Sequence, residues 1–318
     1  LSRDAARYGL ASLTRRRARP AAPARLILLH HDVAESGDDP SRSLTPALAV
    51  GVLREQLEYL RRQYHVVSLA ELASVATLAD VPGRLAVALT FDDDLSSHHQ
   101  FVAPLLTELG LPATFFLTGA TLGGQASFWW HDLQQLYRSG GERWRAVTKA
   151  LAARWGEPRA RLSLGTAATT IEAAPAGMRD EVAADLRRLA ADLPTDPGLS
   201  ARAVDDLHRA GFEIGFHTRA HYQLQTLSDE ELHTAMRDGR DRLAEAAGTR
   251  LTRIAYPHGA ADLRVAAAAA EAGFGHGYTV QAQLVPAEPD PLLIPRLDAY
   301  TSASRLALSV ARLVANGA

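Results

Sequence analysis

The 318-residue chain contains no cysteine. That absence excludes a disulfide scaffold, a thiolate zinc site, an iron–sulfur cluster and a cysteine nucleophile, so any metal site must be built from His and carboxylates. Lysine is almost missing as well: Lys149 stands alone among the cations, which are otherwise Arg, and Schiff-base chemistry has that one candidate. No apolar run reaches the roughly 18 residues a membrane span needs, so no integral membrane segment is expected. Charge of one sign is lacking too. The chain has 34 Lys plus Arg against 36 Asp plus Glu, a net −2, which argues against a nucleic-acid partner held by bulk charge. What is present is length: enough for one large domain or two ordinary ones, and enough to bury most of the apolar surface without staples.

The first 24 residues carry Arg15, Arg16, Arg17 and Arg19. No apolar stretch follows to complete an export signal, so 1–24 reads as a basic lead-in and the chain as given as cytoplasmic. It begins at Leu1, and a signal trimmed upstream would make it exported instead. Beyond the lead-in, strand-like and helix-like pieces alternate. Leu26–Leu29, Leu85–Phe91, Ala113–Leu117, Phe212–Phe216, Arg253–Tyr256 and Gly277–Val280 have strand composition. Pro46–Tyr64, Phe101–Leu109, Ala201–Ala210 and Asp262–Ala272 have helical spacing, and Ser228 with Glu231 forms a capping-box pattern. This alternation predicts parallel strands in an α/β sheet or barrel over 25–318. From 122 to 199 the rhythm breaks. No strand is evident there, and helical patterns around Phe128–Tyr137, Trp144–Leu151 and Glu181–Leu193 predict a helical insertion within the barrel.

Two clusters carry chemistry. His217 and His221 follow a strand directly, and a spacing of four brings two imidazoles together on a helical turn or from a tight loop. The C-terminal end of a parallel strand is where α/β proteins place their sites. Asp92, Asp93 and Asp94 end another strand. Three adjacent acids are unfavourable unless a cation compensates them, although Asp94 can instead cap the following helix. One carboxylate and two His make a three-ligand site with positions left for water and substrate, and a second Asp is placed to take a proton. His30 and His31 end the first strand and can reach the same rim if the sheet closes. Trp129 and Trp130 suit core packing or sugar stacking, and His98 and His99 suit a surface helix.

Several of these segments resemble polysaccharide deacetylases of the NodB-homology group. Leu89-Thr90-Phe91-Asp92-Asp93 with Leu111-Pro112-Ala113-Thr114-Phe115-Phe116 resembles their first motif region. Phe212 to His221 resembles the second, and Ala255-Tyr256-Pro257-His258-Gly259 the third, with His258 in place of a Tyr. Leu28 to Val33 and Ile294-Pro295-Arg296-Leu297 look like the opening and closing segments of one branch. The resemblance implies a distorted (β/α)7 barrel and metal-dependent hydrolysis of the acetamide of an N-acetylated carbohydrate to amine plus acetate. It implies Asp93, His217 and His221 as ligands of a divalent metal, Zn2+ foremost, and Asp92 as general base. The Tyr256 backbone N–H would help hold the oxyanion, while Tyr256, Pro257, His258 and Trp130 are candidates for substrate contact. Three departures follow. Asp94 replaces a common Gly and adds charge and bulk beside the metal. Ala255 replaces the Arg that tethers the base, for which Arg296 is the substitute. No His follows Leu297, so His31 takes the role of acid. A small-molecule amidase or deformylase on the same scaffold and a degenerate, non-catalytic glycan-binding module are the rival readings.

Overall fold

The computed structural model describes residues 24–74, 85–123, 128–155, 162–299 and 301–316. The basic lead-in therefore lies outside the described residues, Ala24 excepted. Eight strands form the main sheet: β1 (Ala24–His30), β2 (His65–Val66), β3 (Leu85–Asp92), β4 (Thr114–Leu117), β5 (Glu213–Phe216), β6 (Arg253–Ala255), β7 (His276–Tyr278) and β8 (Leu297–Asp298). Their order is β8-β1-β3-β4-β5-β6-β7 with every ladder parallel, and β2 adds to the first half of β3. β2 was not evident from the sequence, because two residues are too few to show an alternation.

The sheet curls until its ends meet. Ile294 exchanges backbone hydrogen bonds with the β7 side (Ile294 N to Gly277 O, 2.9 Å; Thr279 N to Ile294 O, 2.8 Å), and Arg296 N donates to Thr279 O at 3.1 Å. Immediately afterwards Leu297 and Asp298 pair with Leu28 and Leu29 of β1. The segment 294–298 thus bridges the first and last strands of a distorted (β/α)7 barrel, as the alternation and the motifs imply.

β3 is buried along its entire length, as expected of a parallel strand covered on both sides. Its residues divide by parity. Val87, Leu89 and Phe91 join the large core beneath the helices, whereas Ala86 and Ala88 belong to a smaller interior cluster with Ile27, Phe116, Ala255, Tyr278 and Ile294. Helix Val50–Gln63 buries Leu53, Leu57 and Leu60 on one stripe. The Ser228–Glu231 capping box is present at the start of helix Asp229–Ala235. The C-terminal helix Ala303–Asn316 buries Leu306, Val310 and Val314. That four-residue spacing is legible in the sequence, although the sequence reading stops short of it.

The stretch between β4 and β5 contains four helices among its described residues: Trp129–Ser139, Gly141–Trp155, Leu164–Glu172 and Ala176–Leu189. They share a hydrophobic cluster of their own, including Trp129, Leu133, Val147, Ile171, Val182 and Leu186. One of the four, Leu164–Glu172, is a helix that the sequence reading did not mark.

Candidate active site

Strand parity places the first residues of the site. Along β1 and the residue that follows it, Leu29 and His31 share a face, and in β3 Thr90 and Asp92 share one. Leu29, His31, Asp92, His217 and Asp298 all line a single pocket of about 400 Å³ at the C-terminal ends of the strands. His30, of opposite parity, stacks on Phe91 at 4.9 Å between ring centroids and donates from Nε2 to Gln56 Oε1 at 3.2 Å, away from that pocket. Parity therefore separates the two adjacent histidines.

Parity alone would turn Asp93 outward, but its φ of +76° reverses the chain. Asp93, Thr218, His221 and His258 are the only non-glycine residues with positive φ among the described residues; three of them line this pocket, and Thr218 adjoins His217, which also does. Such backbone costs about 1–3 kcal/mol each and persists where the surroundings enforce it. His217 and His221 accordingly converge from a tight loop, not from a helix.

One ligand atom each from Asp93, His217 and His221 lies within 4.8 Å of the others. His221 Nε2 is 3.5 Å and His217 Nε2 3.7 Å from Asp93 Oδ1. That oxygen is buried and has no hydrogen-bond partner. His217 Nδ1 donates to the Ala255 carbonyl at 2.8 Å, which fixes the tautomer whose Nε2 lone pair faces Asp93. An orphaned carboxylate oxygen facing two imidazole nitrogens is the donor set of a three-coordinate His/carboxylate metal site, so the residues present fit a divalent cation.

The charges agree with this geometry. Burial, and then the charges of Asp92 and Asp94, push the Asp93 carboxyl well above its ordinary range. Burial holds His217 and His221 in the neutral, ligating form, and for His221 the neighbouring imidazoles of His258 and His217 act in the same direction. Asp92 behaves oppositely. Burial alone would raise it, but Arg296 and His217 outweigh that effect and hold it below the usual carboxylate value. Arg296, fully buried, donates from Nη1 and Nη2 to the two Asp92 oxygens at 2.7 Å each.

Asp94 does not crowd this cluster. It accepts from Thr118 N (2.7 Å), Thr118 Oγ1 (2.9 Å), Gly119 N (3.3 Å) and both the N and Oγ1 of Thr121 (3.2 and 3.1 Å). Its role is to fasten the loop after β4, and these partners replace the expected cap of the following helix. Tyr256 is also displaced from its expected place. Its N–H donates to Tyr278 O at 3.0 Å and its hydroxyl to Leu292 O at 2.9 Å, so neither is available to an oxyanion. Tyr256 and Pro257 are buried and do not line the pocket, whereas His258 and Gly259 do. Gly259 has φ +66°, and a Cβ there would lie 2.3 Å from Val280 Cβ, so the turn requires glycine.

Trp130 stacks on Phe128 at 4.3 Å, as the packing reading expects, sits 4.6 Å from the His221 ring and lines the pocket. His98 is fully buried against Phe91 and Phe115, contrary to the surface placement expected, and reaches the His31 carbonyl at 3.3 Å. His99 is exposed beside Asp206. Pocket residues that sequence reasoning missed are Leu44 and Thr45, Asp298 and, from the insertion, Gly165, Ala168, Thr169 and Glu172. The helix carrying the last four has a signal in its Ser163 cap and its Leu164, Ala168 and Ile171 spacing.

Fold and site together define a parallel α/β barrel with a His/carboxylate cluster at the strand ends. A family profile described as Polysaccharide deacetylase matches residues 80–144 and 189–276. Among solved structures, the Streptococcus pyogenes deacetylase PplD in complex with acetate is 15% identical at a TM-score of 0.60, covering 91% of this chain and 98% of that one. IcaB from Ammonifex degensii is 17% identical at 0.58, covering 92% and 98%. A de-N-acetylase from Aggregatibacter actinomycetemcomitans is 15% identical at 0.57, covering 90% and 99%. No curated protein matches the chain. The profile match ties just under half of the chain to polysaccharide deacetylases, and the solved structures share its fold.

Proposed function

We propose that the protein hydrolyses the acetamide of an N-acetylated sugar or glycan, giving the amine and acetate, with Zn2+ held by Asp93, His217 and His221. The observation that carries this reading is that one pocket is lined by that cluster together with Asp92, which Arg296 grips from behind. A glycan-binding module has no need of a general base beside a metal site.

The bound cation would supply Lewis-acid polarisation of the carbonyl and a lowered pKa for water. Asp92, kept ionised and oriented by the Arg296 fork, accepts the proton of the attacking water. His31, which follows the strand paired with that of Asp92, delivers a proton to the departing nitrogen. Burial lowers its imidazole below the ordinary value, while Asp92 and Asp298 pull it upward. The contact from His98 to its backbone carbonyl holds it at the rim. Trp130 and His258, which flank His221, wall the space where the acetyl group and the sugar would sit.

Acetate release from N-acetylglucosamine oligomers tests the reading. Zinc-loaded wild type should release acetate, and Asp92→Asn should lose at least about a hundredfold in kcat, within the range for removal of a positioned base. Full turnover by Asp92→Asn would contradict the assignment.

A further inference from the structure

The inserted helix Leu164–Glu172 forms one wall of the pocket. Gly165, Ala168, Thr169 and Glu172 all line it, and their spacing of three, one and three is a single helical face. Leu164, Ala167 and Ile171 face the insertion's own core. The pocket face is made of small residues until its last position. A Cβ added at Gly165 would meet no atom within 4 Å. Glu172 ends the row as a carboxylate that is 27% exposed. Its Oε1 is 3.9 Å from His258 Nδ1, beyond hydrogen-bonding distance, and no hydrogen bond among the described residues reaches it. His258 in turn lies against His221, 4.8 Å between ring centroids. A half-buried acid without a donor therefore faces the space beside the reacting group. Burial raises its carboxyl above the ordinary value, and the nearby Arg179 charge opposes this without forming an ion pair.

The other acids of the pocket floor are engaged. Asp92 is held by Arg296, and Asp93 belongs to the cation cluster. Glu172 remains for the substrate to meet.

We propose that Glu172 is the specificity-determining residue of this pocket: it accepts hydrogen bonds from the hydroxyls of an uncharged N-acetylated sugar and repels N-acetylated sugars that carry a carboxylate. This rests on the deacetylase reading above. A hydroxyl donating to a carboxylate makes a charge-assisted bond. A second carboxylate brought within several ångströms of Glu172, partly out of water, is disfavoured by on the order of tenfold or more.

The test compares N-acetylglucosamine oligomers with N-acetylmuramic acid and N-acetylglucosaminuronate on the zinc-loaded full chain, by calorimetric Kd and by acetate release. Wild type should favour the neutral sugar by about tenfold or more in both measurements. Glu172→Gln keeps the volume but removes the charge, and should bring the ratio to within about twofold while raising KM for the neutral sugar. Gly165→Leu, which fills open space, should raise KM for both classes alike and leave the ratio as it was. An unchanged ratio in Glu172→Gln, or no preference in wild type, overturns the proposal even if acetate is released. Should no sugar yield acetate while the binding preference still depends on Glu172, the deacetylase reading falls and the role of Glu172 in recognition stands.

Discussion

Arg296 grips both oxygens of Asp92 at 2.7 Å across 204 residues of chain, with both side chains out of solvent. The segment that carries Arg296 is the one that closes the barrel, so closure of the fold and orientation of the proposed base are one structural event. The same guanidinium also donates to Thr90 Oγ1 at 3.2 Å.

Replacing Arg296 by Ala leaves Asp92 buried and uncompensated. A loss of about 3–5 kcal/mol in urea unfolding is expected, together with collapse of acetate release. Arg296→Lys keeps the charge but lacks the two-pronged fork. It should remain folded with reduced kcat, and the acidic limb of its pH–rate profile should move upward as Asp92 loses its strongest stabilising neighbour. An unshifted limb would mean that Arg296 does not set the state of Asp92.

Asp94 predicts a separation of fold from chemistry. Asp94→Ala removes the acceptor for three backbone amides of the 118–121 loop and two threonine hydroxyls. Destabilisation of roughly 1–3 kcal/mol follows from buried donors left without partners. Zinc affinity, measured by competition with a chromogenic chelator, should stay within about threefold of wild type. A complete loss of zinc binding in a folded Asp94→Ala protein would place this acid at the metal after all.

Stability should fall on acidification. Burial pushes His30 and His98 down to about 4 from 6.5. The unfolded chain therefore binds more protons than the native one between pH 6.5 and 4, and the stability due to these neutral imidazoles is lost as pH falls through that window. Asp32 acts oppositely. Burial raises it to about 6, so its contribution grows as pH falls from 6 towards 3.8. Two histidines against one acid leave a net loss. Thermal unfolding between pH 7.5 and 4.5 should show a falling Tm, with a shallower slope for His98→Leu. The same slope in that variant would remove His98 from the explanation.

The parts of this molecule legible in its sequence are those governed by local patterns. β3 ends in Asp92 and Asp93 because an apolar run meets a polar turn, and the helices begin at Ser200, Ser228 and Asp262 because those side chains cap free backbone amides. His217 and His221 were recognisable as a pair by spacing. Arg296 was reached only through the resemblance of its segment, since no local pattern links it to Asp92. The charge Asp94 adds beside Asp93 was legible from adjacency, but its hydrogen bonds to Thr118 and Thr121 were not, because those residues lie on the next strand's loop. The committed N–H of Tyr256 was equally hidden, because its acceptor, Tyr278, belongs to a strand that follows a whole helix later. Glu172 carried no signal of its own, since an acid at the end of a helix is ordinary until the fold lays that helix over a pocket.

The most direct test of the account is the metal dependence of acetate release, with metal content measured on the same samples. Stripped wild type should be inactive. It should recover with one equivalent of Zn2+ per chain, while Asp93→Ala, His217→Ala and His221→Ala each fail to retain that equivalent. Undiminished acetate release from protein verified to be free of metal, or full zinc occupancy in the three ligand variants, would contradict it.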